Sequence, residues 1–134
     1  MGQPAAKQGD RIVAIDMHIV LVPAPPGPPV PTPLPHPFMG LLNAGLSPNV
    51  NIMGRPAATL GSTATNSPAH VPTSPGISFQ KPPLNRATVN VGSGTVRING
   101  KPAARNGDRA ITCNDPADLP AGTVVAVGSV FIGS

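Results

Sequence analysis

Apolar and polar positions alternate along this chain in short runs, the pattern of half-buried strands. Val50-Asn51-Ile52 and Val96-Arg97-Ile98 are two such runs. Thr88-Val89-Asn90-Val91 and Thr95-Val96-Arg97-Ile98 flank Gly92-Ser93-Gly94, which predicts a hairpin with Val89, Val91, Val96 and Ile98 on its core face. Apolar runs resume at Ile12–Ile15 and Ala110–Thr112, and the tail repeats the style with Thr123–Val127, Gly128-Ser129 and Val130–Ile132. The one helical expectation is a single turn over Met39–Ala44. The predicted class is therefore all-β, with little or no helix.

Three segments share Pro-Ala-Ala-x-x-Gly followed by Asp or Ser: Pro4–Asp10, Pro56–Ser62 and Pro102–Asp108. Their prolines stand 52 and then 46 residues apart. The second and third copies are also preceded by V-x-I-x-G-[RK], at Val50–Arg55 and Val96–Lys101. A tandem of one supersecondary unit follows from this agreement. Gly54 and Gly100 end the preceding strand where a positive φ is needed. Pro then fixes φ and forbids a continuing central strand. The paired alanines allow close packing. The second Gly with Asp or Ser makes another turn, in which a short polar side chain bonds its own backbone. Each unit reads as strand, tight loop, strand.

Composition sharpens this picture. The 134 residues suit one domain spanning 1–134. There are 20 Pro and 15 Gly, no Trp and no Tyr, yet 40% of residues are apolar and only 10% charged, the reverse of a disordered composition. A core of Val, Ile and Ala is dense but thin, and a thin core calls for a staple. The net charge of +4 is spread over isolated Lys and Arg, and aromatic platforms are nearly absent, which argues against nucleic-acid binding. Residues 23–37 hold nine prolines and are expected as an extended, polyproline-like loop excursion anchored on the body by His36 and Phe38-Met39. The single Cys excludes an internal disulfide. The N-terminus has no apolar signal region, and the longest apolar run is far too short to span a bilayer, so synthesis and assembly in the cytoplasm are expected.

The candidate chemistry is confined to His18, His36, His70 and Cys113. His18 and His70 each lie 14 residues after the proline of their repeat, and Cys113 lies 11 after Pro102. Units arranged about an axis would bring two imidazoles and a thiolate to one point, with His36 completing a tetrahedron suited to structural zinc. The bland alternatives are a surface histidine and a small buried cysteine. Without His36 the same set becomes a three-ligand hydrolytic zinc site. A Pro-rich ligand for a peptide-binding module is the other rival. No nucleophile motif is present, and Asp10 and Asp108 occupy equivalent turn positions, so no catalytic residues are assigned.

The recurrent loop, with the full Pro-Ala-Ala-Arg at Pro102–Arg105, resembles the PAAR-repeat proteins; Lys7 and Thr59 replace the arginine in the other copies. The resemblance implies a short cone of strands with pseudo-threefold symmetry, whose base caps a trimeric VgrG-type spike at one copy per trimer in type VI secretion and related contractile injection systems. It implies a zinc at the sharp end, with His18, His36, His70 and Cys113 as ligands by position. It further implies a non-enzymatic role in sharpening the spike, aiding passage through a target-cell membrane, and attaching effectors or adaptors. Secretion would be on the injected spike. The chain ends at Ser134, after the last strand pattern, so any effector is expected to bind separately.

Overall fold

The computed structural model describes residues 2–133 and contains no helix among them. Thirteen strands follow one another: β1 (Gln3–Pro4), β2 (Arg11–Val22), β3 (Val30–Ala44), β4 (Asn51–Ile52), β5 (Arg55–Pro56), β6 (Thr63–Asn66), β7 (Ser78–Phe79), β8 (Arg86–Val89), β9 (Arg97–Ile98), β10 (Lys101–Pro102), β11 (Arg109–Thr112), β12 (Leu119–Val125) and β13 (Phe131–Ile132). Six of them pair in the order β12-β11-β8-β6-β3-β2, and β12 returns to β2, so the sheet closes into an antiparallel barrel. Closure removes the edges that an open sheet would expose. β7 adds to β2 at Val20 and Leu21.

The three Pro-Ala-Ala loops meet in a ring at one end of this barrel. Ala6 N–H donates to the Ala104 carbonyl (2.9 Å), Ala104 N–H to Ala58 (3.0 Å) and Ala58 N–H to Ala6 (3.0 Å), a closed cycle among three equivalent residues. A second cycle runs from Gln8 to Pro56, Leu60 to Pro102 and Asn106 to Pro4, at 2.8–2.9 Å. Only alanine-sized side chains allow backbones this close, and Ala6, Ala58 and Ala104 are wholly buried. Each loop then turns through a glycine in the left-handed region: φ is 88° at Gly9, 91° at Gly61 and 89° at Gly107. The following side chain folds back on the turn as expected. Asp10 accepts from Lys7 N–H (3.0 Å), Ser62 from Thr59 N–H (2.9 Å) and Asp108 from Arg105 N–H (2.7 Å). Lys7 and Arg105 add ion pairs to their own aspartates, which the Thr59–Ser62 turn lacks.

Below the ring sit three two-stranded ribbons with two residues per strand: the hairpins β4–β5 and β9–β10, and β1–β13, whose strands are far apart in the chain. Their registers match, with Ile52 opposite Arg55, Ile98 opposite Lys101 and Ile132 opposite Gln3. Val130-Phe131-Ile132 is thus the missing V-x-I strand of the first repeat, supplied from the far end of the chain. The three isoleucines pack with Ala5, Ala57 and Ala103 into a small base core. The barrel interior is separate and holds Ile12, Phe38, Leu42, Val89 and Val124 among alanines. The result is a short all-β cone with pseudo-threefold symmetry at its base.

Three expectations are corrected. Met39–Ala44 is strand, since Gly40–Leu42 and Ala44 pair with β6 across a register shift and leave no room for a helical turn. The segment 88–98 is not a hairpin: β8 pairs with β6 and β11, β9 pairs with β10, and Val91 is exposed. Within each repeat the barrel strand and the base strand belong to different layers. Finally, the proline-rich stretch is a loop only to Pro29. From Val30 it is strand, in continuous register with β2 from Val22↔Val30 to Arg11↔Leu41. Pro31, Pro33, Pro35 and Pro37 alternate, so they share one edge. The Pro35 carbonyl accepts from Thr73 Oγ1, away from β2. In a strand the nitrogen and carbonyl of one residue point to the same side, so all four prolines face outward and cost β2 no hydrogen bond.

Candidate metal centre

Period-two alternation places the site. The inward row of β2 is Ile12, Ala14, Asp16, His18 and Val20, and the facing row of β3 includes Leu42, Phe38 and His36. The same row that forms the apolar core beside the ring becomes polar further along. Asp16 lies opposite His36 in the register. His70 enters from the loop after β6, held by its own N–H donating to Asn85 Oδ1 (2.7 Å).

The three imidazoles converge. Ring centroids are 5.1 Å apart for His18–His70, 5.4 Å for His18–His36 and 5.5 Å for His36–His70, all steeply inclined. Phe79 covers His18 and His36 at 5.9 and 5.3 Å. Cys113 follows β11 and is half-buried, and its Sγ donates to the Arg86 carbonyl (3.4 Å). The equal offsets of His18 and His70 from their prolines hide different paths, one along a strand and one through a loop.

The hydrogen bonds assign roles. His36 Nδ1 donates to the Leu34 carbonyl (2.9 Å), and its Nε2 accepts from Thr73 N–H (3.1 Å). Asn66 Oδ1 accepts from Met39 N–H, which turns its amide nitrogen toward His70 Nδ1 (3.2 Å). His70 Nε2 therefore carries the proton and donates to Asp16 Oδ2 (3.0 Å). His18 is different: it is 1% exposed, and neither ring nitrogen has a hydrogen-bond partner. Asp16 Oδ1 is likewise buried without one. Burying such groups unpaired costs about 1–3 kcal/mol each; His18 Nε2 stands 3.9 Å from Asp16 Oδ2 and its Nδ1 3.5 Å from Asp115 Oδ2, and a bound cation would satisfy the unpaired groups. The ligand atoms of Asp16, His18 and His70 all lie within 4.8 Å of one another. Asp16 was absent from the sequence-derived set, although the alternation Ile12, Ala14, Asp16, His18 was enough to find it.

Electrostatics favours ligand-competent imidazoles. Burial holds the His18 pKa below its usual 6.5, reinforced by His70 and opposed by Asp115 and Asp16. Burial also lowers His36. The Cys113 thiol is pushed up, again chiefly by burial. Two imidazoles, His18 and His70, and the Asp16 carboxylate form the converging set, which suits zinc or another borderline divalent ion; His36 stands beside it with both nitrogens hydrogen-bonded, and Cys113 is not in it.

Residues 40–116, more than half of the chain, match the family model described as the PAAR motif. None of the curated proteins compared matches the chain.

Proposed function

The chain belongs to the PAAR-motif family, a family of spike-tip proteins, and from that premise we propose that it caps the trimeric VgrG-type spike of a contractile injection system. The observation that carries this reading is the ring: a single chain makes two closed cycles of hydrogen bonds among three equivalent loops and presents three matched strand pairs on one side. A monomer with that base meets a homotrimer as an equal at each contact. The role is structural, with no reaction assigned to the histidines. Zinc bound by His18, His36 and His70 with an anionic fourth ligand, the place that the family resemblance gives to Cys113, would pin β2, β3 and the 67–74 loop together at the apex. The chain would be assembled in the cytoplasm and leave on the injected spike, crossing a membrane and carrying effectors or adaptors.

The test is stoichiometry. The purified chain should bind a trimeric spike protein encoded with it at one copy per trimer, measured by light scattering after size-exclusion chromatography. Absence of binding to every such spike would overturn the proposal. The competing hydrolase reading requires a water-filled position on the metal, and a change in the cobalt absorption spectrum when azide or thiocyanate displaces that water would reveal one.

A further inference from the structure

We propose that the ribbon formed by the far halves of β2 and β3 inserts into the headgroup and acyl boundary of a lipid bilayer, an inference that rests on and deepens the membrane-crossing part of the proposed role. β2 and β3 run for 12 and 15 residues, whereas β6, β8 and β11 have 4 each. β2 meets β12 only at Arg11–Val13, and β3 meets β6 only within Gly40–Ala44. Beyond those contacts the two strands continue together as a ribbon past the barrel wall. From Met17 to Val22 the ribbon reaches roughly 20 Å at about 3.3 Å per residue. That exceeds the ~5–10 Å to which interfacial segments sink.

Two properties suit this segment to lipid. The first is its lack of charge: no Asp, Glu, Lys or Arg occurs from Met17 through Gly54, and charge costs most to bring toward hydrocarbon. Its outward row, Met17, Ile19 and Leu21 opposite Pro35, Pro33 and Pro31, is wholly apolar, and Met17 and the three prolines are exposed. The barrel wall differs, since β6 and β8 turn Thr63, Thr65, Arg86 and Thr88 outward. The second property is a backbone short of free donors. On the β2 edge, Met17 N–H donates to Asn114 Oδ1 (2.6 Å) and Ile19 N–H to Asp115 Oδ2 (3.0 Å). The Met17, Ile19 and Leu21 carbonyls accept from the N–H groups of Asp115 (2.8 Å), Gln80 (2.9 Å) and Ile77 (3.0 Å). On the β3 edge the outward residues are prolines, which have no N–H to satisfy. The tip loop, residues 23–29, holds five prolines, and its Gly27 N–H donates to the Ala24 carbonyl (2.9 Å). An edge without donors cannot add a peptide strand, the usual way a sheet edge recruits a protein. The same lack lowers the cost of leaving water.

The full chain is sedimented with vesicles of pure phosphatidylcholine and with vesicles of phosphatidylcholine and phosphatidylglycerol in equal parts. It should bind both, the anionic ones more tightly, and should stay on the neutral ones as salt rises. Because the chain has no Trp, Val30→Trp at the ribbon tip is a single reporter. Its emission should shift to the blue and be quenched by brominated lipid, and that of Thr65→Trp on the barrel wall should not. Met17 and Ile111 are equally exposed, at 36%. Met17→Lys should weaken binding to the anionic vesicles about tenfold or more, because a cation in the inserted segment opposes insertion. Ile111→Lys, on the barrel wall, should not weaken it. Adsorption by the surface cations alone would be strengthened by Met17→Lys and lost on neutral vesicles, and either result would overturn the inference. Val30→Lys repeats the test if the circular dichroism of Met17→Lys departs from the parent. A chain that binds its trimeric spike at one copy per trimer but sediments with neither vesicle would overturn the insertion alone. Vesicle binding without spike binding would overturn the spike-cap reading alone.

Discussion

The turn that follows each Pro-Ala-Ala loop offers an internal control on what stabilises the ring. Asp108 accepts from Arg105 N–H at 2.7 Å, from Nη2 at 2.8 Å and from Nε at 3.2 Å. Ser62 accepts only from Thr59 N–H, at 2.9 Å, while its own hydroxyl donates to the Gly45 carbonyl (2.8 Å), and its turn has the same shape. Replacing Asp108 with Ala removes both functions. The orphaned N–H costs about 1–3 kcal/mol, and the stranded guanidinium adds roughly 1 kcal/mol, discounted because the Arg105 side chain is 16% exposed and also donates to the Gly133 carbonyl. Asp108→Ser keeps the backbone acceptor and should cost only about 1 kcal/mol. The double variant R105T/D108S, which reproduces the second copy, should recover part of that. At about 4 °C per kcal/mol for a chain of this size, Tm should fall by roughly 12 °C for D108A and roughly 4 °C for D108S. Calorimetry in chelator, to hold metal content at zero, measures this. If D108S lost as much as D108A, the cap on the backbone would not be what holds the turn.

Gly107→Ala meets no atom within 4 Å, so it should cost only its positive φ, about 1–2 kcal/mol; Gly122→Ala, whose Cβ would stand 2.9 Å from Thr112 Cγ2 and 3.0 Å from Ile12 Cγ2, should cost more, and urea midpoints would rank them. Substituting Pro31 and Pro33 by Ala should leave the monomer folded but restore outward N–H groups, so light scattering should show self-association that the parent lacks. His18 and His36 have folded pKa values below 6.5, so the unfolded chain binds more protons in that window. Stability of the metal-free protein should therefore fall as pH drops through about 6.5, with Asp16 and Asp115 partly opposing the effect at His18; equal urea midpoints at pH 7.5 and 5.5 would contradict this.

Much of this architecture is legible in the sequence because the repeat unit is governed by local rules. The positive φ at Gly54 (81°) and Gly100 (78°), the folded-back Asp and Ser side chains, and the alanine packing all follow from residue type. What is not legible depends on partners distant in the chain. Val130-Phe131-Ile132 completes the first repeat only because Gln3 and Pro4 arrive beside it. The prolines of β3 argue against a strand until it is known that one of its edges is unpaired there. The histidine cluster emerges from residue counting, whereas Asp16 emerges only from following the inward row of β2, since an acid on an otherwise apolar face looks like surface when read alone.

The burial of the acids has a consequence for how the molecule meets its surroundings. Asp10 and Asp108 are spent on ring turns, and Asp16 and Asp115 face His18. Asp118 is then the one exposed acid among the described residues, against seven exposed cations: Arg11, Arg55, Lys81, Arg86, Arg97, Lys101 and Arg109. The exterior is thus more positive than the formal +4, and it hardly changes between the titration ranges of carboxylates and lysines. Seen from a Debye length away, the molecule is a small polycation. Its encounters with phospholipid headgroups or acidic protein faces should be steered at low ionic strength and weaken as salt rises.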